Sequence, residues 1–371
     1  MIALDPDDVR LLRLASLLLA GEADAPTTPL EVVRWFGAMQ GQDLASLQWS
    51  FGARWPGSTV ADVDAAFERG EILRTWPMRG TIHAVAAEDA RWMLDLCGER
   101  ALAGVERRRE RLGLTEAMVH DGAEVLRSGL EGGRRLTRSA CVELLADAGL
   151  ATEAGHGYHH LWFSSQIGVT CIGPQQGKEQ TFALLDEWAP DQRDLTREQS
   201  LAEIARRFVR SHGPVTRQEL GGWTGLTQGD AKQAIALLGA EVATVEVDGT
   251  PMVVSAELLD RRAELVGAHD PARVLLLPGF DEIALGYKDR SLFVDDAHRD
   301  RIIPGNNGMF RSTIVVDGRA AGTWTRTIKR AAVVVEAEPF GRTNAAVRRA
   351  AEEAAVAYGS FLGREAEVRW P

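Results

Sequence analysis

Lysine is almost absent from this chain, and cysteine nearly so. Lys178, Lys232, Lys288 and Lys329 are its only lysines, so nearly all of its 42 basic residues are arginine. Arginine suits bidentate phosphate contacts. Against 53 acidic residues, however, it leaves a formal charge of −11, which excludes an unspecific nucleic-acid coat held by a net positive field. Distribution rather than the total governs local potential, so a confined positive face stays open. The three cysteines, Cys97, Cys141 and Cys171, are odd in number and lack ligand spacing. They argue against a disulfide framework or structural zinc and fit a reducing cytoplasm. No apolar run is long enough for a bilayer, since Leu17-Leu18-Leu19-Ala20 only closes an amphipathic segment. The acidic start Asp5-Pro6-Asp7-Asp8 speaks against a secretory leader. A cytoplasmic chain without a membrane partner is the expectation. Phosphate-binding glycine loops, dinucleotide fingerprints, nucleophile elbows and zinc-protease helices are also missing, so no cofactor is expected.

What is present is a globular composition, 45% hydrophobic and 26% charged over 371 residues, long enough for two or three domains. Helical spacing predicts helices over 6–20, 28–39, 44–53 and 60–69, with Thr28 and Glu31 at capping-box spacing. The pattern then switches to two strands, 72–78 and 81–85, around Arg79-Gly80, and returns to a helix over 87–100. A second round places helices at 116–128, 137–148 and 158–166 before strands at 169–172 and 181–184. A third places helices at 200–211, 216–221 and 227–238 before strands at 242–247 and 252–254. Helices followed by a two-stranded hairpin is the order of a winged helix. The fold expectation is therefore α+β: three tandem winged-helix modules, residues 1–110, 111–195 and 196–262, with a β-rich carboxyl-terminal region, 263–371. In that region strands are predicted at 274–277, 291–294, 312–316 and 323–335, the last broken near Thr327, with Asp317-Gly318 as a tight turn and a closing helix over 344–358.

Three groups of residues invite a chemical reading. Gln40-Gly41-Gln42 sets two amides around a glycine at the end of the second helix. Each amide both accepts and donates hydrogen bonds and carries no charge, so the pair can hold a water or face a developing cation. Arg74, Trp76, Arg79 and His83 lie on the first hairpin, where regular alternation puts Arg74, Trp76 and Met78 on one face. Arginine beside tryptophan can track phosphates and stack a base; the competing reading is solvated arginines around a core tryptophan. His156, His159 and His160 are close enough to suggest a metal, but no carboxylate or thiolate stands at matching spacing, and a helix amino terminus is the preferred reading. Asp281 and Glu282 are adjacent, so their side chains diverge and do not form a paired-carboxylate site.

Four segments together carry a resemblance: MQGQD at 39–43, LRTWPMRGTIHAV at 73–85, LLPGFDEIALGYKDRS at 276–291 and PGNNGMFRSTIVVDGRAAGTWTR at 304–326. In these the chain resembles the AlkZ/YcaQ family of winged-helix DNA glycosylases. The resemblance implies three winged helices and a β-rich region, and a catalytic pair of polar residues around an aliphatic one. Gln40 and Gln42 match the AlkZ form of that pair and take its catalytic roles by resemblance. Gly41 departs from it and is expected to loosen the backbone, while Asp43 offers a carboxylate that a loop rotation could bring in as a base. The implied reaction is monofunctional hydrolysis of N7-alkylated purines, bulky or crosslinked, in double-stranded DNA, at an open cleft and by a monomer. A non-catalytic winged-helix regulator is the alternative, disfavoured by the few base-reading groups in Thr227-Gln228-Gly229-Asp230-Ala231-Lys232-Gln233.

Overall fold

A computed structural model describes residues 2–21 and 26–371. Helices begin where the sequence supplies an oxygen for the first free N–H groups. Asp5, Thr28, Thr115, Thr137, Thr227 and Asn344 each accept a backbone N–H at a helix start. Thr59, Thr196 and Thr216 form complete capping boxes with Asp62, Gln199 and Glu219. Each such cap is worth about 1 kcal/mol.

Among the described residues the helices pack around three sheets, giving a mixed α/β architecture. The six-stranded sheet runs in the order Ala38–Gln40, Thr81–Ala86, Ile72–Met78, Thr170–Gln176, Glu179–Leu184, Leu136–Thr137. Its centre joins the first two predicted hairpins through the antiparallel pairing of Arg74 with Ile172. The five-stranded sheet contains Val274–Leu277, Thr313–Val316, Arg319–Ile328, Ala332–Pro339 and Glu365–Arg369, and helix Ala345–Phe361 packs on it. In the third sheet the hairpin Val242–Val247/Thr250–Ser255 is extended by Ile2–Ala3, which pairs parallel to its first strand. The first helix, Pro6–Ser16, buries Val9, Leu12 and Ala15 with Val245 and Val254 of that hairpin. The start of the chain is thereby stitched to the third helix–hairpin unit.

Several expectations need correction. The second helix stops at Phe36 rather than Met39, because Gly37 turns the chain with φ 85° and Ala38–Gln40 joins the sheet edge. Met39 is buried as expected of a periodic position, but as a strand residue. The first helix likewise ends at Ser16, and Leu17 and Leu19 enter the core beyond it. Residues 291–294 are turns rather than a strand: Phe293 and Val294 both bond back to Arg290 O, and their burial is loop burial. Helix Asp296–Ile302 and strand Glu365–Arg369 were not anticipated. The tight turn at Asp317-Gly318 is present with φ 52° and 70°, the positive pair a two-residue hairpin demands.

Candidate active site

Gln40 is the last residue of its strand and pairs with His83, which in turn faces Thr75 on the next strand. The pairing continues through Gly41, whose N–H reaches Ile82 O at 2.8 Å. Gly41 is buried, and a Cβ there would meet Ala84 N and Leu47 Cδ2 at 3.3 Å and Arg74 Cδ at 3.4 Å. Neighbours therefore hold the glycine where a loosened backbone was expected. Gln40 Oε1 accepts the Gln42 N–H at 2.7 Å, folding the first amide over the turn and leaving the exposed Gln42 side chain clear of it. Asp43 Oδ1 accepts the Ser46 N–H at 2.7 Å and so caps helix Leu44–Arg54. That contact commits one of its oxygens to the helix.

Behind Gln40 stands a buried carboxylate. Glu282 Oε1 lies 3.4 Å from Gln40 N, and Oε2 accepts from Trp223 Nε1 at 3.1 Å and meets His212 Nε2 at 3.2 Å. Burial pushes the Glu282 carboxyl up, but the hydrogen bonds from His212 and Trp223 and its electrostatic coupling to the neighbouring histidine rings outweigh it and hold the group below the usual range. His212 is itself fixed: Nδ1 sits 2.7 Å from Ser211 Oγ, and its backbone carbonyl accepts the Tyr287 hydroxyl at 2.8 Å. His83, fully buried, places Nδ1 2.9 Å from Thr81 O. A carbonyl can only accept, so Nδ1 carries the proton. Burial, then Arg79, pulls His83 down to about 4 against the opposing pull of Glu282, which keeps the ring neutral near pH 7. The result is a half-buried and an exposed amide backed by a fixed negative charge and a neutral imidazole, a preorganised polar surface without a strong acid.

The family model described as DNA glycosylase AlkZ-like matches residues 33–361. The chain belongs to the AlkZ-like DNA glycosylase family. It is 25% identical over 265 residues, 68% of this chain and 70% of the relative, to an interstrand DNA cross-link repair glycosylase of Streptomyces sahachiroi. The solved structure of Streptomyces sahachiroi DNA glycosylase AlkZ superposes with a TM-score of 0.81 at 22% identity and covers both chains completely. That likeness establishes the fold. Family membership makes this protein an enzyme that acts on DNA at N-glycosyl bonds.

In this AlkZ-like protein the predicted hairpin residues part company. Arg79, at a turn with φ 54°, is exposed, with its stem beside Gly225. Arg74 and Trp76 are each only 2% exposed, which corrects their placement as phosphate-tracking and base-stacking surface groups. The cause is tertiary: the 170–176 strand pairs alongside theirs and turns an expected wing into the middle of a sheet. A register shift between Thr75 and Met78 also breaks the alternation. Trp76 stacks on Phe182 in the second core, whereas Met78 belongs to the main one. Burial lowers Arg74 to about 10, so it stays charged at neutral pH.

Glu282, His212 and Trp223 are the residues that sequence reasoning missed. The divergence of Asp281 and Glu282 is present: Asp281 takes a two-pronged ion pair from buried Arg54 at 2.8 and 2.9 Å, while Glu282 turns to Gln40. Their position inside a resemblance-bearing segment was the available signal. Two of the three clustered histidines bind backbone carbonyls. His156 Nε2 lies 2.8 Å from Leu112 O and His160 Nε2 3.0 Å from Leu150 O, while His159 sets its ring beside Trp162 and His269 pairs with Asp317; among the described residues no cluster fit to hold a metal ion occurs. No helix among them is long and apolar enough to cross a membrane.

Proposed function

We propose that this DNA glycosylase hydrolyses the N-glycosidic bond of N7-alkylated purines in double-stranded DNA, bulky adducts and interstrand crosslinks included, acting as a monomer without a cofactor. The observation that carries the reading is the tie from the Gln42 N–H to Gln40 Oε1 at 2.7 Å. It fixes the first amide and leaves the second exposed, while the Glu282 carboxylate stands behind the Gln40 backbone. The crosslink named for the Streptomyces sahachiroi relative supports the bulky end of the substrate range.

N7 alkylation places a positive charge on the purine, so the leaving group needs no proton. The C1′–N9 bond breaks, its electron pair moves to N9 and neutralises the imidazolium, and the sugar takes up oxocarbenium character. The oxygen of a water adds to C1′, and its proton passes to solvent. Gln42 orients that water through its amide carbonyl and turns the same dipole towards the cation. Gln40 positions Gln42, and Glu282 adds a fixed negative charge that need not reorganise as the cation forms. The helix–hairpin units, residues 1–110, 111–195 and 196–262, serve as winged-helix modules that grip the duplex beside the β-rich 263–371 region. Exposed arginines, Arg79, Arg107 and Arg108 among them, supply a local positive face against the acidic total.

Gln42→Ala tests the assignment. The side chain is exposed, so folding is spared, and release of free 7-methylguanine from methylated duplex DNA is expected to fall by about a hundredfold or more. Wild-type release by this variant sinks the mechanism.

A further inference from the structure

Arg74 breaks the rule that buried charges are paired. Asp64 is the one opposite charge that acts on it, and its guanidinium makes no hydrogen bond or ion pair with any described residue. A cation sequestered in this way is costly unless something completes its hydrogen bonding. The side chain borders a cavity of about 210 Å³, closed by helices Leu44–Arg54 and Val60–Glu68 and by the turn of the 170–184 hairpin. Gln48, Asp64, Glu68, Leu44 and Gln175 line it with Arg74. The cavity backs directly onto the glutamine turn, since the Arg74 stem packs at 3.4 Å from the Cβ direction of Gly41 and Leu44 follows Asp43 in the chain.

The polar groups define what fits. Glu68 is held by Arg135 at 2.9 Å. Asp64 Oδ1 accepts Gln48 Nε2 at 2.6 Å, which leaves Oδ2 and the remaining lone pairs unused. Arg74 and Asp64 cancel in charge, so a phosphate gains little here. A neutral planar edge that sets an acceptor next to donors gains both partners. The six-membered ring of guanine has that edge: O6 accepts, and N1–H and the N2 amino group donate.

We propose that this cavity receives the Watson–Crick edge of the target guanine, Arg74 donating to O6 and Asp64 accepting from N1–H and N2–H. The proposal rests on the purine-glycosylase reading above. It also says why a recess of this size is compatible with large lesions. N7 and N9 belong to the five-membered ring, on the far side of the base. With the six-membered ring inserted, both the alkyl substituent and the glycosidic bond stay outside the recess, whose Arg74 wall packs against the glutamine turn at Gly41. As the C1′–N9 bond breaks, electron density returns to the base and O6 becomes a better acceptor, so the Arg74 contact strengthens on departure.

Binding of free 7-methylguanine, 7-methylxanthine and adenine to the intact protein, by equilibrium dialysis, tests this independently of catalysis. The wild type is expected to prefer 7-methylguanine. Asp64→Asn, at an exposed position, swaps an acceptor for a donor. It is expected to lose 7-methylguanine binding by about tenfold or more and to gain 7-methylxanthine, whose C2 carbonyl matches the new amide. Arg74→Gln is expected to weaken both methylated bases, with thermal melts to verify folding. An unchanged base preference in Asp64→Asn, or no binding of 7-methylguanine by the wild type, overturns the proposal.

A parallel assay of base release from DNA carrying 7-methylguanine or 3-methyladenine separates two failures. Normal release with a preference indifferent to Asp64→Asn sinks the cavity and leaves the glycosylase reading standing. A switched free-base preference in a protein that releases neither base does the reverse. A switch in free-base binding together with a lowered 7-methylguanine over 3-methyladenine release ratio supports the cavity for the base still attached to DNA.

Discussion

Replacing Glu282 by glutamine keeps the shape of the side chain and removes its charge, and the structure sets the expected size of the effect. Oε2 takes both strong contacts, Trp223 Nε1 at 3.1 Å and His212 Nε2 at 3.2 Å, whereas Oε1 has only the long 3.4 Å approach to Gln40 N. The amide will therefore keep its oxygen towards the two rings and turn its NH₂ towards the Gln40 N–H, donor against donor. Hydrogen bonds to a charged acceptor are worth about 1.5–3 kcal/mol and neutral ones about 0.5–1.5. Two such exchanges, partly offset by no longer burying a charge, give a loss of about 1–3 kcal/mol in folding stability.

The consequence for the reaction is separate. The misplaced NH₂ pushes on the strand end that carries the proposed catalytic pair, and the fixed negative charge is gone. Each 1.4 kcal/mol of lost transition-state stabilisation is a factor of about ten, so a fall of about tenfold or more in single-turnover base release is expected. Urea unfolding measures the first quantity and quenched single-turnover assays on methylated duplex the second. Because the carboxyl is held below its usual range, its contribution to stability exists above the unfolded pKa and disappears as pH falls through the folded one. The variant must lose that acid-side component as well. A Glu282→Gln protein with wild-type midpoint, rate and acid profile would refute the idea that this carboxylate supports Gln40.

His83 gives a pH signature of the same sign, in a higher window. Its folded value of about 4 lies below the ordinary 6.5, so the unfolded chain binds the proton more readily. The stability due to neutral His83 is complete above pH 6.5 and drains away as pH falls towards 4, amounting to about 3 kcal/mol in all. His83→Gln should flatten that window in urea midpoints measured between pH 4 and 7, and an unaltered slope counts against a buried neutral ring. At Gly41, alanine is expected to cost less than about 1 kcal/mol, because Leu47 and Arg74 side chains can yield a few tenths of an ångström. Isoleucine there is expected to cost about 1–3 kcal/mol from overpacking against Ala84 N. An isoleucine variant as stable as the wild type in urea contradicts the packing described around the glycine.

Local chemistry made much of the fold legible. Threonine caps announced helix starts at 28, 137, 216 and 227, and the paired positive φ angles at Asp317-Gly318 follow from a two-residue turn. Such signals lie within a few residues of the structure they produce. The helix read through to Met39 failed because periodicity continues across Gly37 while the backbone does not: Met39 is buried whether it belongs to a helix or to a strand. Strand 291–294 failed for a related reason, since apolar residues packed in a loop look like a short strand.

By itself the sequence determined the glutamine pair, its glycine and the family to which the chain belongs. Those rest on residues contiguous in the chain and on segments kept in order. Only the tertiary structure decided what surrounds that pair. Glu282 reaches Gln40 across 242 positions and Trp223 across 59, and no local rule selects partners at such separations. The fate of Arg74 and Trp76 was decided in the same way. Their strand would be a solvated wing if its hairpin stood alone, but a second hairpin pairs beside it at Ile172. Buried backbone groups must find partners, and that sheet closure carries a tryptophan into the core and an arginine to the wall of a cavity.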